Sequence, residues 1–261
     1  MTPQYHLPAR EWQAAAGLLL AVLVAGSWLG LHFYAMLRFD LSWSNLPLAL
    51  VMAALQCWLS VGVFIISHDA MHGSLAPGHP RLNGAIGAVL LFLYAGFGWR
   101  QLRDAHFDHH RFVGTGQDPD FDENHPDRFL PWYGTFLRRY FGWRSLVYVH
   151  TVVGINWLAL DVPMAQIVLL YGLPALASSL QLFYFGTYRP HRHADAGGEP
   201  GFADRHNARS ESFGPLISLA TCFHFGYHLE HHRRPDVPWW ALPAARRAGI
   251  GSIANPAKVP V

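Results

Sequence analysis

Residues 46–67 read LPLALVMAALQCWLSVGVFIIS, and residues 68–72 follow directly as HDAMH. The first stretch carries no charged side chain and, at about 1.5 Å per helical residue, is long enough to cross the roughly 30 Å hydrocarbon core of a bilayer. The second places His68 and His72 four residues apart, on one face of the same helix. An uncharged span that ends in two aligned imidazoles predicts a membrane helix whose last turn carries chemistry at the water boundary. Inside lipid the backbone must satisfy its own hydrogen bonds, so a chain built on such spans is expected to be all-α.

Working outward, residues 13–36 form another uncharged stretch, too long for a signal-peptide core and followed by no small-residue cleavage site, so it reads as a retained span. Two crossings return the chain to its starting side. Residues 84–98 are apolar but short, and they separate His72 from the histidines at 106–110. A full crossing there would put the histidine groups on opposite faces, so a re-entrant or interfacial segment is expected. Residues 145–160 and 163–186 give two more spans around a hairpin at Asp161-Val162-Pro163. The expected architecture is integral membrane: about four transmembrane helices plus the re-entrant segment, in a single domain over 1–261, with all histidine groups on one face.

On that topology Arg38 is the one member of 19 Lys and Arg residues in an external loop, and the positive-inside rule puts the histidine face in the cytoplasm. Most tryptophans, Trp43, Trp132, Trp143 and Trp239 among them, lie near the ends of apolar runs, as an interfacial aromatic belt requires. A composition of 51% hydrophobic and 14% charged residues suits lipid. The net charge of +2 comes from dispersed arginines, which argues against a nucleic-acid partner. Cys57 and Cys222 have neither the number nor the spacing for a disulfide framework or a thiolate metal site. Residues 194–201 (ADAGGEPG) and the Pro/Ala-rich tail read as loop.

Eleven of the 17 histidines fall in four groups: His68 and His72; His106, His109 and His110; His191 and His193; His224, His228, His231 and His232. Spacings of three and four let 68/72, 106/109/110 and 228/231/232 each aim imidazoles at a common point. Together these three offer eight nitrogen ligands, too many for one zinc, and the HExxH zinc motif would need glutamate where Asp69 stands. Two metal ions fit the count. Imidazole alone does not select iron over zinc, copper or nickel, and the paired Glu-x-x-His pattern of carboxylate-bridged di-iron bundles is absent. His6, His32, His79 and His125 read as surface or interfacial residues and His150 as a hydrogen-bonded core residue. His206 is left undecided.

The motifs HDAMH, HFDHH and HLEHH resemble the three histidine boxes of the membrane fatty-acid desaturase and hydroxylase superfamily. Longer segments, HDAMHGSLAPGHPRLN, GTGQDPDF, RRYFGWR, FGTYRPHRH and TCFHFGYHLEHH, are similar to those of bacterial integral-membrane beta-carotene ketolases, and the similarity covers most of the chain from His68 onward. The resemblance implies two non-haem iron ions, O2 as co-substrate and electrons from ferredoxin. It implies metal ligands at His68, His72, His106, His109, His110, His228, His231 and His232. A ninth, His191, comes from FGTYRPHRH, with His193 as the alternative. The implied activity is oxidation of C4 of beta-ionone rings to a ketone, giving echinenone and canthaxanthin from beta-carotene and astaxanthin from hydroxylated rings. His224 stands where desaturases and alkane hydroxylases often have asparagine, as an outer group or an alternative ligand.

A metal-bound imidazole commonly donates its other N–H to a carboxylate. Asp69, Asp108, Asp118, Asp120 and Glu230 are the nearby candidates, of which Asp69, Asp118 and Glu230 are carried forward, and Arg189, Arg192 and Arg209 are placed to neutralise such acids or to dock an acidic electron carrier. The implied partners are a carotenoid entering from the bilayer, ferredoxin, membrane lipid and other carotenoid-pathway enzymes, at the bacterial inner membrane. The competing readings are a carotenoid hydroxylase or fatty-acyl desaturase of the same superfamily and, from another class, an intramembrane metal transporter, whose ligands would be strung along a path instead of gathered at one face.

Overall fold

The computed structural model describes residues 6–193, 202 and 204–250. The loops expected at 194–201 and in the tail beyond residue 250 lie outside the described residues. Every regular element among the described residues is a helix. The chain begins with α1 (Arg10–Leu37) and α2 (Leu46–His72), continues through α3 (Pro80–Ala95), α4 (Trp99–Phe112), α5 (Phe129–Tyr140) and α6 (Trp143–Gly154), and then runs along α7 (Met164–His191). Three short α-helices follow, α8 (Pro215–Cys222), α9 (His228–Arg233) and α10 (Leu242–Arg247), the last entered through a 3-10 turn at Trp239–Ala241.

Helices α1, α2 and α7 are each long and apolar enough to cross a membrane, and the α3–α4 pair passes the same test only if its bend is counted as a break within one span. The fourth expected span, 145–160, is filled by α6 and a π-helical continuation, Ile155–Ala159. At about 25 Å this rod is shorter than the other three. Exposed aliphatic residues such as Leu19 and Val22 on α1, Leu48 and Val51 on α2, and Leu173 and Leu176 on α7 give the bundle an outer surface that suits lipid and not water.

Helix α2 is the central post. Val61, Val63, Ile65 and Ile66 are fully buried, and α1 is clasped to it where the Trp28 indole N–H donates to Ser60 Oγ at 2.9 Å. At the opposite end from the histidines, the Gln166 amide of α7 donates to the carbonyls of Ala35 (2.6 Å) and Phe39 (2.9 Å), tying α7 to the end of α1. The π turn and Asp161, in a left-handed conformation with φ of 54°, make the reversal into α7.

Two glycines shape the histidine end. Gly73, with φ of 73°, stops α2 one residue after His72, and Gly96, with φ of 69°, stops α3. Immediately beyond Gly96 the chain bends by 99° into α4. His106 on α4 then meets His72 at the end of α2, their Nε2 atoms 2.7 Å apart, so the α3–α4 elbow starts and finishes beside the same turn of α2.

Three local expectations are corrected. His150 is not a core residue: it is exposed on α6, with Nδ1 2.7 Å from the Leu146 carbonyl oxygen of its own helix. Trp132 and Trp239 are buried and cannot belong to an interfacial belt, whereas Trp43 and Trp143 are exposed. Sequence position marks the end of an apolar run but not the direction in which a side chain leaves it.

Candidate metal centre

Nine imidazoles assemble into two groups in which the nitrogens of each lie within 4.8 Å of one another: His68, His72, His106, His110 and His231 in the first, and His109, His191, His228 and His232 in the second. The helical spacing explains the division. His106 and His110, one turn apart on α4, serve the first group, and His109 between them turns to the second. Helix α9 mirrors this: its one-turn pair His228 and His232 joins the second group, while His231 joins the first. Boxes two and three therefore each contribute to both groups. His191 reaches the second group from the end of α7, just after a π turn at Tyr184–Tyr188, the kind of local widening that recurs at functional sites.

The donor set fits metal ions. Nε2 atoms approach in pairs, His72 to His106 at 2.7 Å, His191 to His228 and His228 to His232 at 2.9 Å each, and His110 to His231 at 3.1 Å. Ligand atoms at right angles around an ion with bonds of about 2.0–2.1 Å would stand about 3 Å apart. Both ring nitrogens of His68 are buried without a hydrogen-bond partner, a costly arrangement unless a cation takes up a lone pair. Burial, reinforced by neighbouring imidazoles, pushes His228, His231 and His232 well below the usual histidine pKa, so they are in the neutral form that ligates metals.

The surrounding contacts sort the candidate carboxylates. Asp118 is on the site: its Oδ1 accepts from Nδ1 of His109 at 2.9 Å, which leaves His109 Nε2 for the second group. Burial alone would raise the Asp118 carboxyl, but His109 and the backbone N–H groups of Gly114 and Asp120 outweigh it and hold it below the usual carboxylate range. Asp69 lies 3.6 Å from His68 Nδ1, and its Oδ2 accepts the Trp239 backbone N–H at 2.9 Å, anchoring the chain after α9 to α2. Glu230 is buried, but both its carboxylate oxygens are taken up away from the histidine boxes, by the Ser210 hydroxyl and, at 2.8 Å, by Arg246 of α10. Asp108 is exposed, and Arg189 is spent on an ion pair with Glu211 at 2.6 Å.

His191 is the member of its pair in the cluster. Its Nδ1 donates to the Asn207 carbonyl at 2.8 Å, while His193 is exposed, its ring 5.0 Å from that of Phe121. His224 is buried outside both groups, its ring stacked between Tyr227 and Trp239, and His206 lies beside His232 at 6.2 Å between ring centres. The Asn207 carbonyl is a partner that no side-chain motif reveals, since any residue type supplies one. An apolar cavity adjoins the site, walled by Phe64, Tyr94, Phe97, Leu102, Phe136 and Leu182 and reaching His68, His106, His109 and His228. The sequence assigned none of these residues to a cavity wall, because apolar side chains are ordinary packing in any membrane bundle.

An all-helical membrane fold that gathers nine imidazoles into two metal-competent groups at one end of its long helices defines the class. The fatty acid desaturase family model matches residues 41–158 and 138–260. Beta-carotene ketolases from two Paracoccus sp. strains are 48% and 46% identical to this chain, covering 89% and 90% of it and 92% and 94% of the relatives. The beta-carotene ketolase of Haematococcus lacustris is 32% identical over 96% of this chain and 90% of its own. The chain therefore belongs to the fatty acid desaturase family and, within it, to the beta-carotene ketolases.

Proposed function

We propose that this chain is an O2-dependent oxygenase that converts the C4 methylene of carotenoid beta-ionone rings to a ketone, taking beta-carotene to echinenone and canthaxanthin and 3-hydroxylated rings toward astaxanthin. The observation that carries it is the apolar cavity that runs up against imidazoles of both groups, a shape and lining suited to a hydrocarbon ring. Two iron ions, held by the five imidazoles of the first group and the four of the second, would supply the activation of O2. The aromatic wall excludes water and presents the ring, and His109 is held in one tautomer by Asp118. Carbon C4 is allylic, so its hydrogen is removed at lower cost than one from an unactivated methylene.

The ketone follows from two oxygenations at one carbon. The methylene takes one oxygen atom from O2, and two electrons and two protons reduce the other to water, leaving a secondary alcohol. The same stoichiometry repeated gives a gem-diol, which loses water to the ketone. Each ring consumes two O2 and four electrons, delivered by a reduced ferredoxin-type carrier. The chain has no nicotinamide fingerprint with which to oxidise the alcohol as a dehydrogenase would. The protein works as one domain in the bacterial inner membrane, with its histidine end in the cytoplasm and its substrate drawn from the bilayer. Expression in a beta-carotene-producing host tests this: echinenone and canthaxanthin should accumulate, and 3-hydroxy products in their place would move the chain to the hydroxylases.

A further inference from the structure

One part of the cavity wall is out of keeping with a hydrocarbon guest. Asp120 and Tyr140 both line it, and the Tyr140 hydroxyl donates to Asp120 Oδ1. A carboxyl and a phenol on an apolar wall lose hydration and gain nothing from a ring that carries no polar atom. Their mutual hydrogen bond offsets only part of that loss, because Asp120 Oδ2 accepts no hydrogen bond among the described residues; it stands 3.8 Å from His109 Nδ1, whose proton is already given to Asp118.

The pair is also held rigidly. The Asp120 backbone N–H donates to Asp118 Oδ1 at 2.8 Å, and the Asp120 carbonyl accepts the Trp132 indole N–H at 2.7 Å. Arg139 donates to the carbonyls on either side, Pro119 and Phe121. Trp132, Arg139 and Tyr140 all belong to α5, so one helix fixes both the loop and the phenol. Through Asp118 the same loop is tied to His109. A free carboxylate oxygen is thus placed at a set position beside the second histidine group, inside the substrate cavity.

We propose that Asp120, steadied by Tyr140, holds the hydroxyl of the ring alcohol made in the first oxygenation and keeps it in register for the second. This rests on the ketolase reading above. The alcohol O–H donates to Asp120 Oδ2, an interaction the parent hydrocarbon cannot make. The intermediate is therefore retained where its precursor is merely admitted, and the remaining hydrogen on C4 stays turned toward the histidine groups. The polar patch thereby decides between an enzyme that stops at the alcohol and one that reaches the ketone.

The test is the ratio of 4-hydroxy to 4-keto product formed from beta-carotene by the full-length, metal-loaded protein in lipid. Asp120→Ala should raise it by up to about tenfold, the worth of one hydrogen bond. Asp120→Asn, which keeps an acceptor, should fall between Asp120→Ala and wild type. Tyr140→Phe keeps the ring packed against Phe136, at 4.8 Å between centroids, and gives a second reading independent of the aspartate; it should raise the ratio about threefold. A purely structural role would lower both products together at constant ratio, and that result in Asp120→Ala and Tyr140→Phe would overturn the proposal. Wild-type protein that leaves beta-carotene untouched would overturn the ketolase reading itself, whereas wild type that ketolates beside variants of unchanged ratio would overturn the role of the pair alone.

Discussion

Asp118 and His109 meet across 2.9 Å between Oδ1 and Nδ1, with both side chains buried. The carboxylate can only accept, so Nδ1 carries the proton and Nε2 is left as the donor atom for a metal ion. The two residues come from opposite sides of a turn, α4 supplying the imidazole and the following loop the carboxylate. Gly114 secures the other oxygen, its backbone N–H donating to Asp118 Oδ2 at 2.9 Å.

Removing that carboxylate leaves a buried imidazole without its anchor. Asp118→Ala should lower metal affinity at the four-histidine group by about 10–100-fold. Metal analysis of purified protein after dialysis should show a loss concentrated in one of two ions per chain. Full retention of both would mean that Asp118 shapes the loop and not the metal.

His191 and His193 stand two residues apart and separate cleanly by burial, His191 within the second group and His193 exposed against Phe121. His191→Ala should abolish ketone formation and strip the second metal while the protein still inserts in the membrane. His193→Ala should leave metal content within about twofold. The reverse pattern would reassign the ninth ligand.

Gly87 on α3 faces Trp99, whose ring carbons lie 2.1 to 2.9 Å from where a Cβ would stand. That close approach sets the angle of the elbow and with it the position of His106 and His110. Gly87→Val should push Trp99 aside, cost about 1–3 kcal/mol of stability through overpacking, and reduce metal bound at the five-histidine group. An unchanged Tm in detergent with full metal content would show that the elbow has room to spare.

Much of this was legible because membrane physics and helical spacing are local. The uncharged runs at 13–36 and 46–67 lie within α1 and α2, and each box could be seen to present several imidazoles on one face. The division of each later box between two groups was not legible, because it depends on how α4 and α9 are rotated against each other across more than a hundred residues. The fate of the acids was hidden for a related reason. Glu230 sits inside a histidine box yet belongs to Ser210 and Arg246, while Asp120, a candidate to orient a metal-bound imidazole, lines the cavity. Asp118 and Asp120 stand two residues apart in one turn yet go to different tasks, and only the tertiary arrangement shows which goes where.

The orientation proposed for the bundle, with its histidine end in the cytoplasm, is open to direct test. The α1–α2 loop carries Arg38 as its one basic residue and the α6–α7 turn carries none, whereas α4 at the histidine end holds Arg100, Arg103 and Arg111, so the positive-inside rule would put that end in the cytoplasm. Ser44 in the α1–α2 loop and Asp108 on α4 are both exposed, so each can carry a reporter thiol. In a background with Cys57 and Cys222 replaced by Ser and Ala, Ser44→Cys should react with an impermeant maleimide added from outside intact cells. Asp108→Cys should react only in inverted vesicles. Because Asp108 lies between His106 and His109, its label reports the side on which the metal groups face. Labelling of both thiols from one side would break the reading of α2 as a full crossing. Labelling of Asp108→Cys from outside, with Ser44→Cys protected, would turn the protein over and place the entry of electrons on the opposite side of the membrane.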